Sequence, residues 1–422
     1  MPGRPPPVVY IRDLRHPKPT KSHLRQLESA LRNPVQLNLD AVLAAARCEA
    51  DLENVGMSDF LDRIRCWIED VRDDTGRNAL GHLRMFQRCV RFVVGRLRLE
   101  DLLRRHPEIR SLEIRNPIII AGPPRSGTTQ LSNLLAADAR LRSLRLWEVD
   151  DPAPVEEEAG LLQDSDLRHV RYSVEWRRTC ALLPHIATMF PWNSSDVAED
   201  IWLQGMNFSA TVWKWTADVR PWKRQNDLGD NPYRQYEYMK TALKALQWQK
   251  GPSRWVLKSP QHSEHLGPLI DTFPDATIVM THRDPVSVIQ SFATMSAYRA
   301  RADYDYVDTD SVMQYATNRI SDLLRASMRD RDLIPSKQVV DVFFHDLIAD
   351  ELATVQRIYD TAGLELSDDQ VECMRAYLAK HARGRNGKIL YDLERDFGMS
   401  PARVREKFKY YQRAFPVMVE VL

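Results

Sequence analysis

The stretch NPIIIAGPPRSGTTQL, residues 116–131, most constrains how this chain can fold. Residues 118–120 are three isoleucines in a row, a pattern typical of a short strand buried on both faces of a parallel sheet. Residues 122–127 then form a tight glycine loop, and leucines recur at helical spacing after it. A strand, a glycine loop and a helix aim backbone N–H groups at one point, so the pattern predicts a bound phosphate.

The loop differs from an ordinary nucleotide loop in its cation. Gly122 and Gly127 have the spacing of a Walker A loop, but Thr128 and Thr129 stand where that loop has Lys and Ser or Thr. Arg125 inside the loop offers instead a planar fork that can hold an oxyanion at two positions. The sequence therefore predicts a phosphate-type ligand other than a magnesium nucleoside triphosphate. The alternative is a chance Gly/Pro turn before a helix.

Composition and charge narrow the class of protein. The formal net charge is +1 over 422 residues, so no basic surplus predicts binding to nucleic acid. The five cysteines are scattered without a CxxC spacing, which indicates a reducing compartment and no metal cluster. No apolar run approaches the roughly 20 residues that cross a bilayer, and the proline-rich N-terminus is too polar for a signal peptide. We expect a cytoplasmic protein without a transmembrane segment.

Periodicity divides the chain into three parts. Residues 1–37 are rich in proline and basic residues, which predicts an irregular arm in which the VVYI segment packs locally. Residues 38–110 have helical periodicity without a cluster of catalytic residue types, and they predict an accessory helical layer. Residues 111–422 are predicted to form the α/β domain, with a helical insert at about 168–250. The predicted N-caps in the helical layer are Asn38, Ser58 and Asn78.

The helical insert is unusually aromatic, because it holds seven of the ten tryptophans of the chain. Tryptophans at helical spacing are more often core residues than ligand contacts. Their concentration between two phosphate-type motifs also fits an apolar acceptor pocket or a lid, and both interpretations stay open. The seven are Trp176, Trp192, Trp202, Trp213, Trp215, Trp222 and Trp248.

A second informative stretch begins at Ser253. It predicts a strand ending at Lys258, a helix, and a buried strand ending at Arg283, followed by a helix that carries Ser291. A right-handed βαβ unit of this kind places Lys258, His262 and Arg283 at the carboxyl ends of its strands. A structural ion pair could explain any one of them, but the three together favour a binding or catalytic site.

Together these motifs resemble those of a known family. PRSGTT at 124–129 resembles the loop, in particular that of the tyrosylprotein branch, by which sulfotransferases hold the 5′-phosphosulfate of 3′-phosphoadenosine 5′-phosphosulfate, PAPS. The eight-residue spacing from Arg283 to Ser291 is similar to the family's 3′-phosphate signature. RGRNGK at 383–388 resembles the closing segment of bacterial small-molecule sulfotransferases. The resemblance extends over nearly the whole chain from about residue 40, and it implies a P-loop-type parallel sheet flanked by helices.

The resemblance also implies the reaction. A PAPS-dependent sulfotransferase moves a sulfuryl group in line to a hydroxyl group, here of a small, hydrophobic acceptor, and releases adenosine 3′,5′-bisphosphate, PAP. Lys258 would neutralise the leaving group, and Arg283 with Ser291 would bind the 3′-phosphate. No metal is expected, because no cluster of carboxylates accompanies the loop. The implied PAPS contacts are Pro124, Arg125, Ser126, Gly127, Thr128, Thr129, Arg283, Ser291, Arg385, Gly387 and Lys388.

The resemblance leaves two candidates for the general base. Cytosolic sulfotransferases have a histidine two residues after the strand-end lysine, but Pro260 stands there and His262 follows Lys258 by four residues. Tyrosylprotein sulfotransferases have a glutamate at the end of the strand after the loop helix. Glu148, 23 residues beyond Arg125, lies near that spacing, where a second strand-like segment ends. We expect Glu148 rather than His262, because a partly desolvated carboxylate near cations can accept a proton.

Two other functional classes remain possible from the sequence. One is a P-loop kinase or nucleotide hydrolase, against which the absent Walker lysine argues. The other is a binding protein that keeps the fold without turnover.

Gln130 stands where cytosolic members have a tryptophan that stacks on adenine, so the adenine must have another partner. The sequence specifies neither the acceptor nor the oligomeric state.

Overall fold

The structure, a computed structural model, describes residues 7–154, 166–190, 193, 195–208, 231–251 and 253–422. Its strands lie in two parallel sheets, one of five strands and one of two. The strands are β1 (Val8–Tyr10), β2 (Ile118–Ala121), β3 (Leu141–Ser143), β4 (Arg254–Lys258), β5 (Thr277–His282), β6 (Val339–Phe343) and β7 (Lys388–Leu390).

Helices cover both faces of the larger sheet. In chain order they are α1 (Lys21–Arg32), α2 (Leu39–Ala50), α3 (Phe60–Arg72), α4 (Ala79–Arg105), α5 (Thr128–Leu135), α6 (Leu146–Asp150), α7 (Leu167–Leu182), α8 (Ile186–Met189), α9 (Ile201–Gly205), α10 (Pro232–Lys250), α11 (Leu266–Thr272), α12 (Pro285–Ala300), α13 (Thr309–Asp330), α14 (Phe344–Ala349), α15 (Glu351–Ala362), α16 (Asp368–Lys380), α17 (Leu393–Phe397), α18 (Pro401–Lys407) and α19 (Lys409–Ala414).

The larger sheet confirms the predicted α/β fold. Its strand order is β3–β4–β2–β5–β6, so the isoleucine strand β2 lies at the centre. Every residue of β2 is buried, as a central parallel strand covered on both faces requires. Ile120 pairs with Lys258 of β4 on one side and with Val279 of β5 on the other. The glycine loop and the two predicted strand-end cations therefore meet at the carboxyl edge of the sheet, where open α/β sheets bind ligands.

The helical layer packs directly on the sheet. Val93 and Leu97 of α4 belong to the same buried cluster as Ile119 of β2 and Leu257 of β4. Burying these apolar side chains stabilises the layer by roughly 1.5–3 kcal/mol for each of them. The layer and the sheet therefore share one continuous core.

The predicted helix starts are correct for α2 and α4. The side chains of Asn38 and Asn78 accept hydrogen bonds from the backbone N–H groups three residues on. The third prediction is wrong, because α3 begins at Phe60 and Asp59 stands at its N-cap position instead of Ser58.

The N-terminal segment is more regular than predicted. α1 occupies part of the segment expected to be irregular, and Thr20 caps it by accepting a hydrogen bond from the His23 N–H at 3.1 Å. The VVYI segment forms β1, which pairs in parallel with β7 from the C-terminal part of the chain. The prolines of residues 1–19 obscured the helical spacing that follows them.

The segment after the loop helix also differs from the prediction. β3 covers only Leu141–Ser143, and the residues predicted to continue the strand form α6. The Glu148 carboxylate accepts a hydrogen bond from the Arg145 N–H at 3.0 Å, the reciprocal half of a capping box. Glu148 is therefore part of a helix start and does not stand at a strand end.

Candidate active site

Two glycines shape the loop between β2 and α5. Gly122 has φ +144°, and a Cβ atom there would lie 2.0 Å from Thr281 Oγ1 and 2.7 Å from the Thr281 carbonyl oxygen. Gly127 has φ +91° and precedes α5. Residues that carry a side chain rarely adopt such φ values, and position 122 also lacks the space for a Cβ atom. The glycines therefore let the loop pass close over β5.

The loop is braced from beneath by a buried serine. The Ser126 hydroxyl donates to the Pro123 carbonyl oxygen at 2.6 Å and lies 2.7 Å from Thr281 Oγ1. Since this hydroxyl is engaged inside the protein, the predicted contact of Ser126 with a ligand falls to its backbone.

The N-terminus of α5 forms the floor of the loop. Its first backbone hydrogen bond runs from the Leu131 N–H to the Gly127 carbonyl oxygen at 3.0 Å. The N–H groups of residues 128–130 thus have no partner within the helix. Such N–H groups at a helix N-terminus favour an anionic group, so this end of α5 suits the phosphate that the sequence predicts.

Arg125 reaches out of the loop toward its surroundings. Its backbone has φ +68°, an uncommon value for a residue with a side chain. Its Nε donates to Ser291 Oγ on α12 at 3.0 Å, and its guanidinium donates to the Met189 carbonyl oxygen at 3.2 Å. The same guanidinium lies 5.6 Å from the centre of the Phe190 ring. Arg125 therefore connects the loop to α12, which carries Ser291, and to the end of α8 in the insert.

Arg283 joins the two predicted phosphate sites. It follows β5, and its guanidinium donates to the carbonyl oxygen of Arg125. It also stacks on the Phe344 ring at 3.8 Å. Its remaining nitrogens donate to the carboxylate of Glu420, a residue that the sequence did not point to.

Lys258 stands at the end of β4 beside the loop, as predicted. Its side chain is 1% exposed, and its Nζ donates to Glu199 Oε1 at 2.8 Å. The Glu199 side chain is 25% exposed. The sequence analysis did not predict Glu199. The signal was the segment VAEDIW, in which two acidic residues stand among apolar ones, because carboxylates that are carried into the protein interior need cationic or hydrogen-bonding partners.

Glu148, the expected base, is enclosed by cations. Its Oε1 accepts from Lys250 Nζ at 2.8 Å and from Arg142 at 3.2 Å, and its side chain is 2% exposed. Burial alone would raise the pKa of Glu148, but Lys250 and Arg142 outweigh burial and hold that pKa below its usual value. Both carboxylate oxygens are thus engaged, which leaves no route for an acceptor hydroxyl.

His262 is also withdrawn from any ligand. It is fully buried in the 3₁₀ helix at Pro260–Glu264. Its Nε2 lies 2.9 Å from Asp200 Oδ2, and its Nδ1 lies 2.9 Å from the Tyr236 hydroxyl. The Asp200 N–H in turn donates to the Lys258 carbonyl oxygen at 3.2 Å. This buried network positions the neighbouring Glu199 against Lys258 and offers no free nitrogen for proton transfer.

In the closing segment, residues 383–388, the three residues predicted to contact PAPS have contacts within the protein. Arg385 donates to the Lys380 carbonyl oxygen at 3.0 Å, and Lys388 belongs to β7. A Cβ atom at Gly387 would lie 2.6 Å from the Pro7 carbonyl oxygen, so this glycine serves the pairing with β1. Arg383 is the residue of this segment that lies beside Arg283. Burial and the Arg283 charge lower the pKa of Arg383.

A cavity of about 230 Å³ with one apolar side lies near the loop arginine, which is not itself part of the lining. Phe190, whose ring faces Arg125, is one wall, and Trp202, three residues after Glu199, is another. Arginine and carboxylate side chains of α4, α6 and α7 surround its polar side. Its apolar lining comprises Phe92, Leu146, Val149, Leu183, Ile186, Phe190 and Trp202 together with the Trp176 side chain.

Of the seven tryptophans of the insert, the described ones have different roles. Trp176 and Trp202 line the apolar cavity, while Trp248 stacks near His106 at a ring distance of 4.3 Å. The other four, Trp192, Trp213, Trp215 and Trp222, lie outside the described residues. A larger cavity of about 450 Å³ is lined mainly by charged residues of α4 and α7 and includes no loop residue.

The described ranges contain neither a cluster of metal-ligand side chains nor a membrane-spanning helix. In these ranges, no three or more His, Cys, Asp and Glu side chains come together as metal ligands would. No helix within the same ranges has the length and apolar character that crossing a membrane requires.

Comparison with known proteins identifies the family. A model of the sulfotransferase family matches residues 117–368, which include β2, the loop, Lys258 and Arg283. The chain belongs to the sulfotransferase family. Its sulfotransferase relatives include omega-hydroxy-beta-dihydromenaquinone-9 sulfotransferase Stf3 of Mycobacterium bovis and of Mycobacterium tuberculosis. Each is 26% identical over 276 residues, which are 63% of this chain and 67% of the relative.

Solved sulfotransferase structures share the fold. Sulfotransferase STF9 from Mycobacterium avium aligns with a TM-score of 0.82 and 23% identity over 92% of this chain and 99% of its own. Sulfotransferase STF1 from Mycobacterium tuberculosis aligns with a TM-score of 0.71 and 23% identity over 88% of this chain and 98% of its own. The likeness extends well beyond the sheet, because it spans nearly the whole chain.

Proposed function

We propose that this chain transfers the sulfuryl group of PAPS to a hydroxyl group of a small, hydrophobic acceptor and releases PAP, an activity of the EC 2.8.2 type. The contact between Lys258 and Glu199 is the observation that carries the proposal. A buried ammonium and a partly exposed carboxylate lie 2.8 Å apart, near the glycine loop that is predicted to bind an anion. This pair can stabilise a leaving phosphate and accept a hydroxyl proton at adjacent positions.

The donor would lie along the carboxyl edge of the sheet. The N–H groups at the start of α5 and the Thr128 and Thr129 hydroxyls would hold the 5′-phosphosulfate. Arg283, with Arg383 beside it, would bind the 3′-phosphate, since guanidinium groups bind phosphate at two nitrogens at once. Arg125 would link the two ends, because its carbonyl oxygen contacts Arg283 and its side chain contacts Ser291.

Glu199 and Lys258 divide the chemical work. Glu199 takes the proton of the acceptor hydroxyl as its oxygen bonds to sulfur. The bond from sulfur to the bridging oxygen breaks, and the electron pair stays on the 5′-phosphate of PAP. Lys258 donates a hydrogen bond to that oxygen as its negative charge grows. We therefore assign the general base to Glu199, which is partly exposed, in place of the enclosed Glu148 and His262.

The apolar cavity supports a hydrophobic acceptor. Phe190 of its lining lies beside Arg125, and Trp202 of its lining follows Glu199 by three residues, so we place the acceptor body in this cavity with its hydroxyl directed to the base. Ligand sites of this kind combine apolar walls with a few placed polar groups. The mycobacterial relatives, named for an omega-hydroxy menaquinone derivative, act on an acceptor of the same general class.

A transfer assay without added metal tests the proposal. The protein is incubated with PAPS, EDTA and a panel of hydrophobic alcohols, phenols and hydroxylated quinones, and products are followed by mass spectrometry. We expect one acceptor class to gain one SO₃ unit while PAP forms in equal amount. Lys258→Met provides the control and should form no sulfated product, because it keeps an unbranched side chain and removes the ammonium.

Binding measurements distinguish the alternatives. Calorimetry should show PAP bound without magnesium and more tightly than ATP, because ATP lacks the 3′-phosphate that Arg283 is proposed to bind. Equal binding of ATP and PAP, or binding of neither, would contradict the proposal. Magnesium-dependent binding of ATP alone would instead favour the P-loop kinase class.

A further inference from the structure

The segment 416–422 lies on the proposed 3′-phosphate site and is held there by specific contacts. The Phe415 ring, just before the segment, stacks on the His282 ring at 4.2 Å. The Glu420 N–H donates to Asp284 Oδ2 at 2.9 Å, and Arg405 donates to the Val421 carbonyl oxygen. These contacts fix the position of the Glu420 side chain.

The Glu420 carboxylate binds Arg283 as a phosphate would. Its two oxygens accept from Nε and from a terminal nitrogen of Arg283, at 2.7 Å and 2.6 Å. The Ser287 hydroxyl lies 3.4 Å from the same carboxylate. Two parallel N–H···O bonds are the geometry in which arginine recognises both carboxylates and phosphates. The Glu420 side chain is 29% exposed and the Arg283 side chain 14%, so solvent and a competing anion can reach the pair.

The surroundings of this pair favour a more highly charged anion. Arg283 and Arg383 lie against the same Phe344 ring, at 3.8 Å and 5.0 Å from its centre. Arg125 is adjacent, since its carbonyl oxygen accepts from Arg283. The second carboxylate close by, that of Asp284, is occupied by backbone N–H groups at the start of α12 and in the segment 416–422. A phosphate group, with close to two charges, would therefore interact more strongly with these guanidinium groups than one carboxylate does.

We propose that Glu420 occupies the 3′-phosphate subsite in competition with the nucleotide and so sets how tightly the chain holds PAPS and PAP. The inference rests on the proposed function. When PAPS binds, its 3′-phosphate replaces the Glu420 carboxylate on Arg283. After transfer, the carboxylate returns to Arg283 and promotes the release of PAP. Glu420 thus determines how much of the affinity for a nucleotide comes from its 3′-phosphate.

Glu420→Gln tests the competition directly, because it removes the charge and keeps the shape of the side chain. Calorimetry on the full chain compares PAP with AMP, which lacks the 3′-phosphate. We expect PAP to bind about tenfold more tightly to the variant, equivalent to about 1.4 kcal/mol, while the affinity for AMP changes less than about twofold. The selectivity for PAP over AMP therefore rises with PAP affinity.

Two further variants serve as control and as repeat. Glu406→Gln removes the same charge from the exposed ion pair of Glu406 with Lys409, and it should leave PAP binding unchanged. A chain that ends after Pro416 removes Glu420 together with its segment but keeps Phe415. It should tighten PAP binding in the same direction as Glu420→Gln.

The outcomes separate this inference from the proposed function. If the unaltered chain binds PAP but Glu420→Gln binds it equally or more weakly, Glu420 orders Arg283 and does not compete with the phosphate, and the inference is overturned. An equal gain for AMP and PAP would also overturn it, because the effect would not involve the 3′-phosphate. If the unaltered chain binds neither nucleotide, the proposed function itself fails.

Discussion

Replacement of Glu199 by glutamine isolates the charge that the proposed mechanism requires. The Lys258 ammonium donates to Glu199 Oε1 at 2.8 Å, and a glutamine oxygen can accept the same hydrogen bond. The variant therefore keeps the contact and the shape but loses the group that accepts the acceptor's proton. A general base contributes about 10²- to 10⁴-fold to a rate. We expect kcat to fall about 10²- to 10³-fold, a loss of about 2.7–4.1 kcal/mol of transition-state stabilisation.

The assay separates chemistry from binding and folding. Steady-state kcat and kcat/KM are measured with PAPS and an acceptor from the transfer assay, and PAP affinity is measured by calorimetry. PAP affinity should not weaken in Glu199→Gln, because Lys258 loses its negatively charged partner and stays free to bind phosphate. Thermal melting of each variant confirms that the measured protein is folded.

Glu148→Gln is the matched control, since it makes the same change at the other candidate glutamate. It should keep kcat within about threefold at temperatures below its melting transition, because Lys250, Arg142 and the Arg145 N–H engage the Glu148 carboxylate and the proposed mechanism gives it no step. A Glu199→Gln variant with near-normal kcat would refute the assignment of the base. A folded, stable Glu148→Gln variant without turnover would return that role to Glu148.

Three other predictions follow from the buried polar groups and the loop. Glu148→Gln should lower the free energy of unfolding at pH 7 by about 2 kcal/mol, since it leaves the largely buried Arg142 and the partly exposed Lys250 without their anion. The folded-state pKa of Glu148 lies below its usual 4.5, so its carboxylate stabilises the fold fully above pH 4.5 and loses this effect as the pH falls through the folded-state pKa. Denaturant titrations at several pH values should therefore show that the difference in unfolding free energy between the unaltered chain and Glu148→Gln shrinks at acid pH. His262→Gln should lower the melting temperature but leave the pH dependence of kcat/KM unchanged, whereas loss of its acid limb would identify His262 as the base. Gly122→Ala should weaken PAP binding at least about tenfold in calorimetry, because its Cβ would collide with Thr281; unchanged affinity would show that the loop shape does not set binding.

The sequence predicted the parts of the site that are encoded locally. Short apolar runs bounded by turn residues are sufficient to place β2, β4 and β5, so the glycine loop, Lys258 and Arg283 were predicted at the correct edge of the sheet. Parallel pairing then brings them together with no further information, because the carboxyl ends of parallel strands lie at one edge.

The missed residues depend on contacts between distant parts of the chain. Glu199 lies 59 positions from Lys258, and Glu420 lies 137 positions from Arg283. Neither lies in a segment with a periodic pattern or a motif, and tertiary packing alone brings each one to its cation. Glu148 was misplaced for the opposite reason. Its spacing from the loop suggested a strand end, whereas a local capping bond and two cations commit it to a helix start.

The contacts of Arg125 would couple the two binding sites of the proposed reaction. The Arg125 side chain donates to Ser291 on the helix of the proposed nucleotide site and to the Met189 carbonyl oxygen, next to a wall of the cavity proposed for the acceptor. In the proposed mechanism, a nucleotide that repositions this guanidinium would also alter the cavity proposed for the acceptor. Such linkage is reciprocal, so an acceptor that strengthens PAPS binding is itself bound more strongly by the PAPS-loaded chain, and by the same factor.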